Sequence, residues 1–398
     1  MNNDLSSYFE DPEFKEALEK YEGMVKNHTP AYFDADELTD IAEYYASKGR
    51  QIEAEAAIDF ALQLHPNDTD ALIFRARSLA MKGRLDEAYM VMDLIEDRSD
   101  REVRFLKADL LMEEKRMEEA DHVFEELAAY EEGKLETLID IILAYIDANQ
   151  EALAKKWIKH VGETYDLASL SQKNQKFRDL LCDFYITFNN PEAAIPLLQA
   201  TLDCYPYSIN HWNSLGKCYL STNDYEEAHE AIDFALAIDD SNAEALTLKA
   251  FCYQQSGELQ KSCDYYLRLA EQQENKTRAY LALAKTYFEM QDYTSSIYYI
   301  EALLDNKDAL SKYELSELYG DIALCHAALK HIGVGQASIR RSLELNENDP
   351  DTLIVAGRFF LMEAKACNDE TAKAENQAKG ELYFRQALNL IMEDERLD

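Results

Sequence analysis

Small and large apolar residues recur at helical spacing along most of this chain. The stretch 209–242 shows the pattern most fully, with two apolar stripes separated by the turn 222–224. Residues three and four positions apart share one face of a helix, so each stripe predicts one helix. The stripes consist of Leu215, Gly216 and Tyr219, followed by Ala228, Ile232 and Ala235. The pattern predicts two antiparallel helices whose backbones approach closely at Gly216 and Ala228, with Asp224 as the N-cap of the second helix.

This two-helix unit recurs in tandem, mostly every 34 residues. Ten units start near residues 35, 69, 101, 135, 175, 209, 243, 277, 316 and 350. The unit that starts at 209 resembles the tetratricopeptide repeat, because Trp212, Leu215, Gly216, Tyr219, Ala228, Ile232 and Ala235 stand at its characteristic offsets. The resemblance implies an all-α fold, a right-handed α-solenoid superhelix of helix–turn–helix repeats. In such a fold each helix pair buries its apolar faces against its neighbours.

Residues 1–34 precede the repeats and are predicted to form one helix that caps the first repeat. Asp11 followed by Pro12 is typical of a helix start. An apolar stripe then runs through Phe14, Leu18, Tyr21 and Val25. The domain organisation predicted here is therefore an N-terminal capping helix over 1–34 and a repeat array over 35–398.

The repeat spacing is interrupted in three places. Two steps of 40 and 39 residues place extra residues near 162–174 and 305–312, between repeats. These insertions predict longer helices or a change in superhelical pitch. The tenth repeat carries extra residues around 366–378, inside its turn, and they are rich in helix formers. We expect them to form a hairpin that protrudes.

The charge of the chain restricts the classes of partner. Its 77 acidic residues against 40 lysines and arginines give a net charge of −37, which disfavours a nucleic-acid backbone and an anionic membrane surface as partners. The same charge favours basic protein partners. The first residues lack the pattern of a signal peptide, no apolar run is long enough to span a membrane, and the seven cysteines show no paired spacing. We therefore expect a cytoplasmic protein with reduced thiols.

Motifs of enzymatic chemistry are missing from the sequence. It contains no phosphate-binding loop, no HExxH or CxxC motif and no GxSxG, and no two of its eight histidines stand four residues apart. Residues outside the repeats leave no room for a catalytic domain. We expect no enzymatic activity, no cofactor and no metal site.

A candidate partner-binding surface follows from the resemblance. In proteins of this family the first helices of successive repeats line a concave groove that binds peptides. The corresponding positions here are Phe74, Arg77, Met81, Phe105, Asp109, Met112, Leu143, Asp147, Asp183, Lys217, Phe251 and Phe288. Apolar anchors among acidic residues suit a peptide with basic segments. The alternative is that superhelical curvature buries the apolar members against neighbouring helices.

One specialised function of the family is not expected. Its chaperone-binding members clamp a C-terminal carboxylate with lysine and asparagine at set offsets, but here Asn213 and Lys217 stand in reverse order and Leu248 replaces a required asparagine. The function predicted is a non-enzymatic scaffold that binds partner proteins or peptides. The alternative is a regulatory or receptor-like subunit of a complex whose catalytic chain is separate. The concave face, the convex face and the C-terminal hairpin all remain candidate binding surfaces.

Overall fold

The computed structural model describes residues 9, 11–27, 30–305 and 310–394. Over these residues the chain forms α-helices and one short 3₁₀ turn, Gln273–Asn275, and no strand. The helices are α1 (Pro12–Asn27), α2 (Ala35–Ser47), α3 (Gln51–Leu64), α4 (Thr69–Met81), α5 (Leu85–Met92), α6 (Arg101–Glu113), α7 (Met117–Tyr130), α8 (Leu135–Asp147), α9 (Glu151–Thr164), α10 (Leu167–Lys173), α11 (Gln175–Thr187), α12 (Pro191–Cys204), α13 (Ile209–Thr222), α14 (Tyr225–Ile238), α15 (Ala243–Gln255), α16 (Leu259–Ala270), α17 (Lys276–Glu289), α18 (Tyr293–Leu304), α19 (Lys312–Ala328), α20 (Ile332–Leu345), α21 (Pro350–Ala366) and α22 (Glu370–Asp394). The predicted all-α solenoid is confirmed.

The helices group into two compact units, residues 1–188 and 189–398. The first unit contains α1, four hairpins from α2/α3 to α8/α9, and then α10 and α11. The second unit opens with α12 and continues with five hairpins, from α13/α14 to α21/α22. The division into a capping segment over 1–34 and an array over 35–398 stays a prediction.

Each unit builds its core between neighbouring hairpins. In the second unit, apolar side chains of α15 and α16 are buried together with those of the next first helix, α17. The buried members are Leu246, Ala250, Cys263, Tyr266, Leu269, Ala279 and Leu283. The hairpin α15/α16 thus buries apolar surface against α17, and α15 also does so against α14, as expected for repeats that stack.

The hairpin turns use a residue in the left-handed conformation. Gly49 has φ 71° and Gly257 has φ 79°, in a region that glycine adopts without steric cost. In the hairpin α13/α14 the turn residue is Asn223, with φ 65°, and asparagine tolerates this conformation better than most residues. Asp224 lies at the predicted N-cap of α14, but its side chain accepts a hydrogen bond from Thr222 Oγ1 at 2.6 Å and does not cap a helix N–H.

The N-terminal helix α1 packs against α2. Phe14 and Tyr21 are buried there, and Leu18 is half-buried against the same cluster. Val25, which was predicted to extend this stripe, is exposed. The apolar contact of α1 continues instead through Met24, which packs against the same cluster.

The insertions change the helices in different ways. The insertion at 162–174 does not lengthen α9, which ends at Thr164. Residues 167–173 form the separate helix α10, and Arg178 of α11 donates to the carbonyl of Ser171 at 3.0 Å. Part of the second insertion, 306–309, lies outside the described residues. The third insertion lengthens the tenth hairpin, since α21 has 17 residues and α22 has 25. The turn of this hairpin consists of residues 367–369 only, so the added residues are helical on both sides of the turn.

Candidate protein-binding surface

The first helices of successive hairpins pack side by side in the first unit. α2 contacts α4, and α4 contacts α6. Carboxylates from four first helices lie close enough to repel one another, and we call this group the acidic strip: Glu43 of α2, Asp70 of α4, Glu102 and Asp109 of α6, and Asp147 of α8. The acidic strip is therefore built from one helix of each hairpin and needs the stack to exist.

Four carboxyl groups of the acidic strip have raised pKa values. Glu43 and Asp70 are accessible, but surrounding protein displaces water from them, and this loss of hydration is the main cause that raises the pKa of each. Repulsion adds to the effect, from Asp40 and Asp70 on Glu43 and from several acids on Asp70. Desolvation also raises the pKa values of Asp109 and Asp147.

Two arginines offset part of this charge. Arg77 Nε lies 3.5 Å from Asp109 Oδ2, and Arg77 Nη2 lies 3.6 Å from Glu102 Oε2, so this side chain joins α4 to α6. Arg101 joins α6 to α8 through an ion pair with Asp140. Pairs as exposed as these contribute little stability. Because the two arginines neutralise only part of the charge, the acidic strip keeps an excess of negative charge.

Two predicted apolar contacts belong to the core and not to a binding surface. Phe105 is 7% exposed and Met112 is 9% exposed. The ring of Phe105 packs on Phe124 of α7, with centroids 5.3 Å apart, and the guanidinium of Arg101 covers it at 5.1 Å. The prediction that these two residues anchor a partner is wrong, because helix packing leaves almost no surface for one to contact.

The other predicted positions in the first unit differ in accessibility. Met81, the last residue of α4, is 83% exposed. Phe74 and Leu143 are half-buried, and Phe74 packs on the apolar cluster of the first hairpin. Asp183 of α11 is exposed. Met81 is thus the apolar side chain near Arg77 that is most available to a partner, and the binding role of these residues stays a prediction.

The second unit holds the three remaining positions. Lys217 of α13 forms an ion pair with Glu244 of α15. Phe251 is exposed on α15, whereas Phe288 of α17 is half-buried and contacts the ring of Tyr293, with centroids 5.4 Å apart. These side chains belong to the second unit, whereas the acidic strip belongs to the first.

The predicted groove residues omit Glu43, Asp70 and Glu102, although Glu43 stands at the same place in its repeat as Arg77 and Asp109 do in theirs. A signal was nevertheless present, because all three are acids on predicted first helices.

Among the described residues, no group of three or more histidine, cysteine or carboxylate side chains is arranged to hold a metal ion. No helix in the described ranges has the length and apolar character to cross a membrane.

Comparison with known proteins identifies one matching family model and three similar proteins. A family model described as a tetratricopeptide repeat matches residues 39–89 and 213–277. The formate-dependent nitrite reductase complex subunit NrfG of Escherichia coli O157:H7 is 26% identical over 191 residues, 46% of this chain and 89% of that protein. The solved structure of PilW, a type IV pilus biogenesis factor, has a TM-score of 0.42 at 15% identity, covering 55% of this chain and 99% of PilW. PilF of Pseudomonas aeruginosa has a TM-score of 0.40 at 17% identity, covering 52% of this chain and 95% of PilF.

Proposed function

We propose that this chain, which matches a tetratricopeptide-repeat family model over residues 39–89 and 213–277, is a non-enzymatic scaffold that recruits a partner protein through a basic segment. The observation that carries the proposal is the acidic strip. Five carboxylates from α2, α4, α6 and α8 lie close enough to repel one another, and the pKa values of Glu43, Asp70, Asp109 and Asp147 are raised. Lysine and arginine side chains of a partner relieve this repulsion when they bind.

The physical advantage of the strip lies mainly in recruitment. A surface of one sign attracts segments of the opposite sign from a distance and speeds their association, while apolar contacts set the rate of dissociation. Met81 supplies an accessible apolar side chain beside Arg77. A segment that alternates basic and apolar residues therefore fits this surface best.

A second candidate function is a subunit role in a complex whose catalytic chain is separate. The observation that favours it is the similarity to NrfG, whose name describes a subunit of a formate-dependent nitrite reductase complex. A scaffold and such a subunit differ in whether the partner is an enzyme. Identification of the bound partner distinguishes them.

The proposal includes a cytoplasmic location and excludes nucleic acid, membranes and chaperone-type carboxylate recognition from the partners. Support for the location comes from the seven cysteines, all of which are free thiols, five of them buried. Free thiols are typical of a reducing compartment. Support for the partner class comes from the net charge of −37, which repels other polyanions.

The experiment that tests the binding surface is site-specific photocrosslinking in cells. A benzophenone amino acid at Met81, beside the acidic strip, should capture the partner. The same group at Met90, exposed on the second helix α5, is the matched control and should capture it poorly. Capture at Met90 alone would place the binding surface on the second helices and contradict the proposal.

The captured partner then permits a kinetic test. Glu43→Gln with Asp70→Asn removes two charges from the acidic strip and should slow association by about 3- to 10-fold at low salt, with a smaller difference at high salt because ions screen the attraction. Glu96→Gln with Glu118→Gln removes two exposed charges elsewhere in the same unit and should have little effect. Equal association rates in the two double variants would overturn the proposed role of the strip.

A further inference from the structure

A cavity of about 480 Å³ lies in the second unit, among α12, α13 and α14. Aromatic and acidic side chains dominate its wall. The relevant members are Trp212, Tyr219, Phe234, Asp203, Glu227 and Glu230. The cavity involves the second helices α12 and α14, so it is not part of any surface formed by first helices alone.

The aromatic wall is held in place by packing and hydrogen bonds. Trp212 and Phe234 stack with ring centroids 4.5 Å apart and an angle of 19° between their planes. The indole Nε1 of Trp212 donates to the carbonyl of Pro206 at 2.8 Å. Gln199 Nε2 donates to the hydroxyl of Tyr219 at 2.9 Å. Both polar aromatic residues are therefore oriented by partners within the cavity wall.

Phe234 presents an open aromatic face. Trp212 covers one face of its ring, yet 53% of the residue remains exposed. More than half of the Phe234 surface is therefore still open to water. An aromatic face carries partial negative charge and attracts a cation placed over it.

Within the described part of the chain, the carboxylates of the cavity form no ion pair with a basic side chain. Asp203, Glu227 and Glu230 are exposed, and none of the ion pairs formed by the described residues includes them. No lysine, arginine or histidine lines the cavity. Glu227 and Glu230 stand one turn apart on α14, followed one turn later by Phe234, so they share a helix face. A cation in the cavity would meet carboxylates and an aromatic ring together.

We infer that this cavity binds an arginine side chain of a partner protein. A guanidinium group is planar, so its face stacks on Phe234 while its edge donates hydrogen bonds to Glu227 and Glu230. Lysine fits less well because its ammonium is strongly hydrated and has no flat face. A purely apolar side chain would leave the three carboxylates without compensation. This site goes beyond the proposed function, since it uses no residue of the acidic strip.

The two tryptophans of the chain allow the site to be observed directly in the full-length protein. Trp212 lines the cavity, and Trp157 of α9 lies in the other unit, where its Nε1 donates to Asp121 at 2.9 Å. Incorporation of fluorotryptophan gives one ¹⁹F resonance for each. The probes are three acetylated, amidated peptides, Gly-Ser-X-Ser-Gly, in which X is arginine, lysine or citrulline.

The arginine peptide should shift the Trp212 resonance in a saturable manner and leave that of Trp157 unchanged. A single side chain on a flexible peptide should give a dissociation constant on the order of 1 mM. The lysine peptide should bind at least about 3-fold more weakly, and citrulline, which keeps the shape but loses the charge, should cause no saturable shift. An equal response to citrulline, or no response to arginine, would overturn the inference.

Variants then locate the bound side chain. Glu227→Gln with Glu230→Gln should weaken arginine-peptide binding by about 10-fold, and Phe234→Ala should weaken it by about 3-fold or more. Glu226→Gln, an exposed neighbour on α14 that does not line the cavity, is the matched control and should bind normally. An unchanged Trp157 resonance and thermal midpoint establish that each variant is folded. Normal binding by the Glu227/Glu230 variant would exclude this cavity as the arginine site. Because the acidic strip is tested by crosslinking at Met81, failure of either experiment leaves the other proposal standing.

Discussion

Asp121 connects three helices of the first unit through a single carboxylate. Its Oδ1 accepts from the hydroxyl of Tyr145 at 3.0 Å and from Nε1 of Trp157 at 2.9 Å, and its other oxygen accepts from Lys156. Burial by itself raises the pKa of Asp121, but the bonds from Lys156, Trp157 and Tyr145 outweigh it, so the pKa is lowered. The ionised carboxylate is therefore the form that holds α7, α8 and α9 together.

Removal of this carboxylate should destabilise the first unit. Asp121→Ala leaves the buried hydroxyl of Tyr145 and the indole N–H of Trp157 without an acceptor, which should lower the free energy of unfolding by about 2–3 kcal/mol. Tyr145→Phe removes one donor and should cost about 1 kcal/mol. Urea unfolding followed by the fluorescence of Trp157, in a Trp212→Phe background, measures both. A loss for Asp121→Ala no larger than that for Tyr145→Phe would contradict the connecting role of Asp121.

Individual residues show how far the sequence predicts the candidate site. Repeat spacing correctly placed Arg77 and Asp109 on first helices, where the structure joins them. It could not predict that Phe105 is buried, because that depends on how closely Phe124 of the next helix approaches. Likewise, nothing in the spacing shows which of the 77 acidic residues accepts from Tyr145. Spacing determines which face a residue occupies, whereas burial and pairing depend on packing in three dimensions.

Among the helices, the hairpin α13/α14 shows why small residues recur in the pattern. A Cβ atom on Gly216 would lie 2.7 Å from Cγ1 of Ile232, which is too short for two carbon atoms. Ile232 is itself fully buried, so it has little space into which to move. The predicted close approach of the two helices at Gly216 is therefore confirmed.

Gly216→Ala should lower the free energy of unfolding by about 1–3 kcal/mol, because the added methyl group overpacks the contact with Ile232. Gly333→Ala is the matched control, since no side chain or distant backbone atom lies within 4 Å of a Cβ at that position in α20. Alanine also favours helix over glycine by about 1 kcal/mol, so the control should be neutral or stabilising. Thermal unfolding of the two variants measures the difference. Equal midpoints would show that α13 and α14 have room to separate.

The repeated apolar stripes predicted most of the helices, but they did not predict α10. Repeated apolar stripes define a helix when each stripe recurs at nearly constant distance. Leu167–Lys173 has seven residues, none of them fully buried, and no counterpart in other repeats. Its place depends on contacts that no local pattern contains, since Arg178 binds the carbonyl of Ser171 and Gly162 lies against Leu167. The insertion was recognised from the spacing, but its conformation was not.

Over the whole molecule, negative charge opposes folding at neutral pH. The chain carries a net charge of −37, and compaction brings like charges together. The described structure contains carboxyl groups whose pKa values are raised, chiefly by desolvation, in both units. Glu43, Asp70 and Asp109 are examples in the first unit, and Asp321 and Glu363 are examples in the second. These groups bind protons more tightly in the folded chain than in the unfolded chain.

The sign of the pH dependence follows from that difference in proton binding. Stability rises with pH only where the unfolded state binds more protons, and at these carboxyl groups the folded state binds more. These groups should therefore increase stability as pH falls from 7 towards the unfolded value near 4. His229 and His326 oppose this gain, because desolvation lowers their pKa values and the unfolded chain binds more protons at these two positions. Asp121 acts in the opposite direction, but its lowered pKa confines its contribution to pH values below about 4. Added salt at pH 7 should also stabilise the chain by screening repulsion.

Asp321 provides the sharpest test of this dependence. Burial is the main cause that raises its pKa to about 6, with Glu317 adding to the effect while Lys285 and Arg358 oppose it. Asp321→Asn removes a carboxyl group that binds a proton more tightly in the folded chain than in the unfolded chain. The variant should therefore have a higher thermal midpoint at pH 7 and a smaller gain in stability on acidification to pH 5. Glu347→Gln makes the same change of charge at an exposed position between α20 and α21 and should leave the slope nearly unchanged. Calorimetric scans of both variants and the parent chain from pH 5 to 7.5 measure the slopes. If Asp321→Asn keeps the parent slope, the pH dependence arises from the distributed charge of the whole chain and not from this buried carboxyl group.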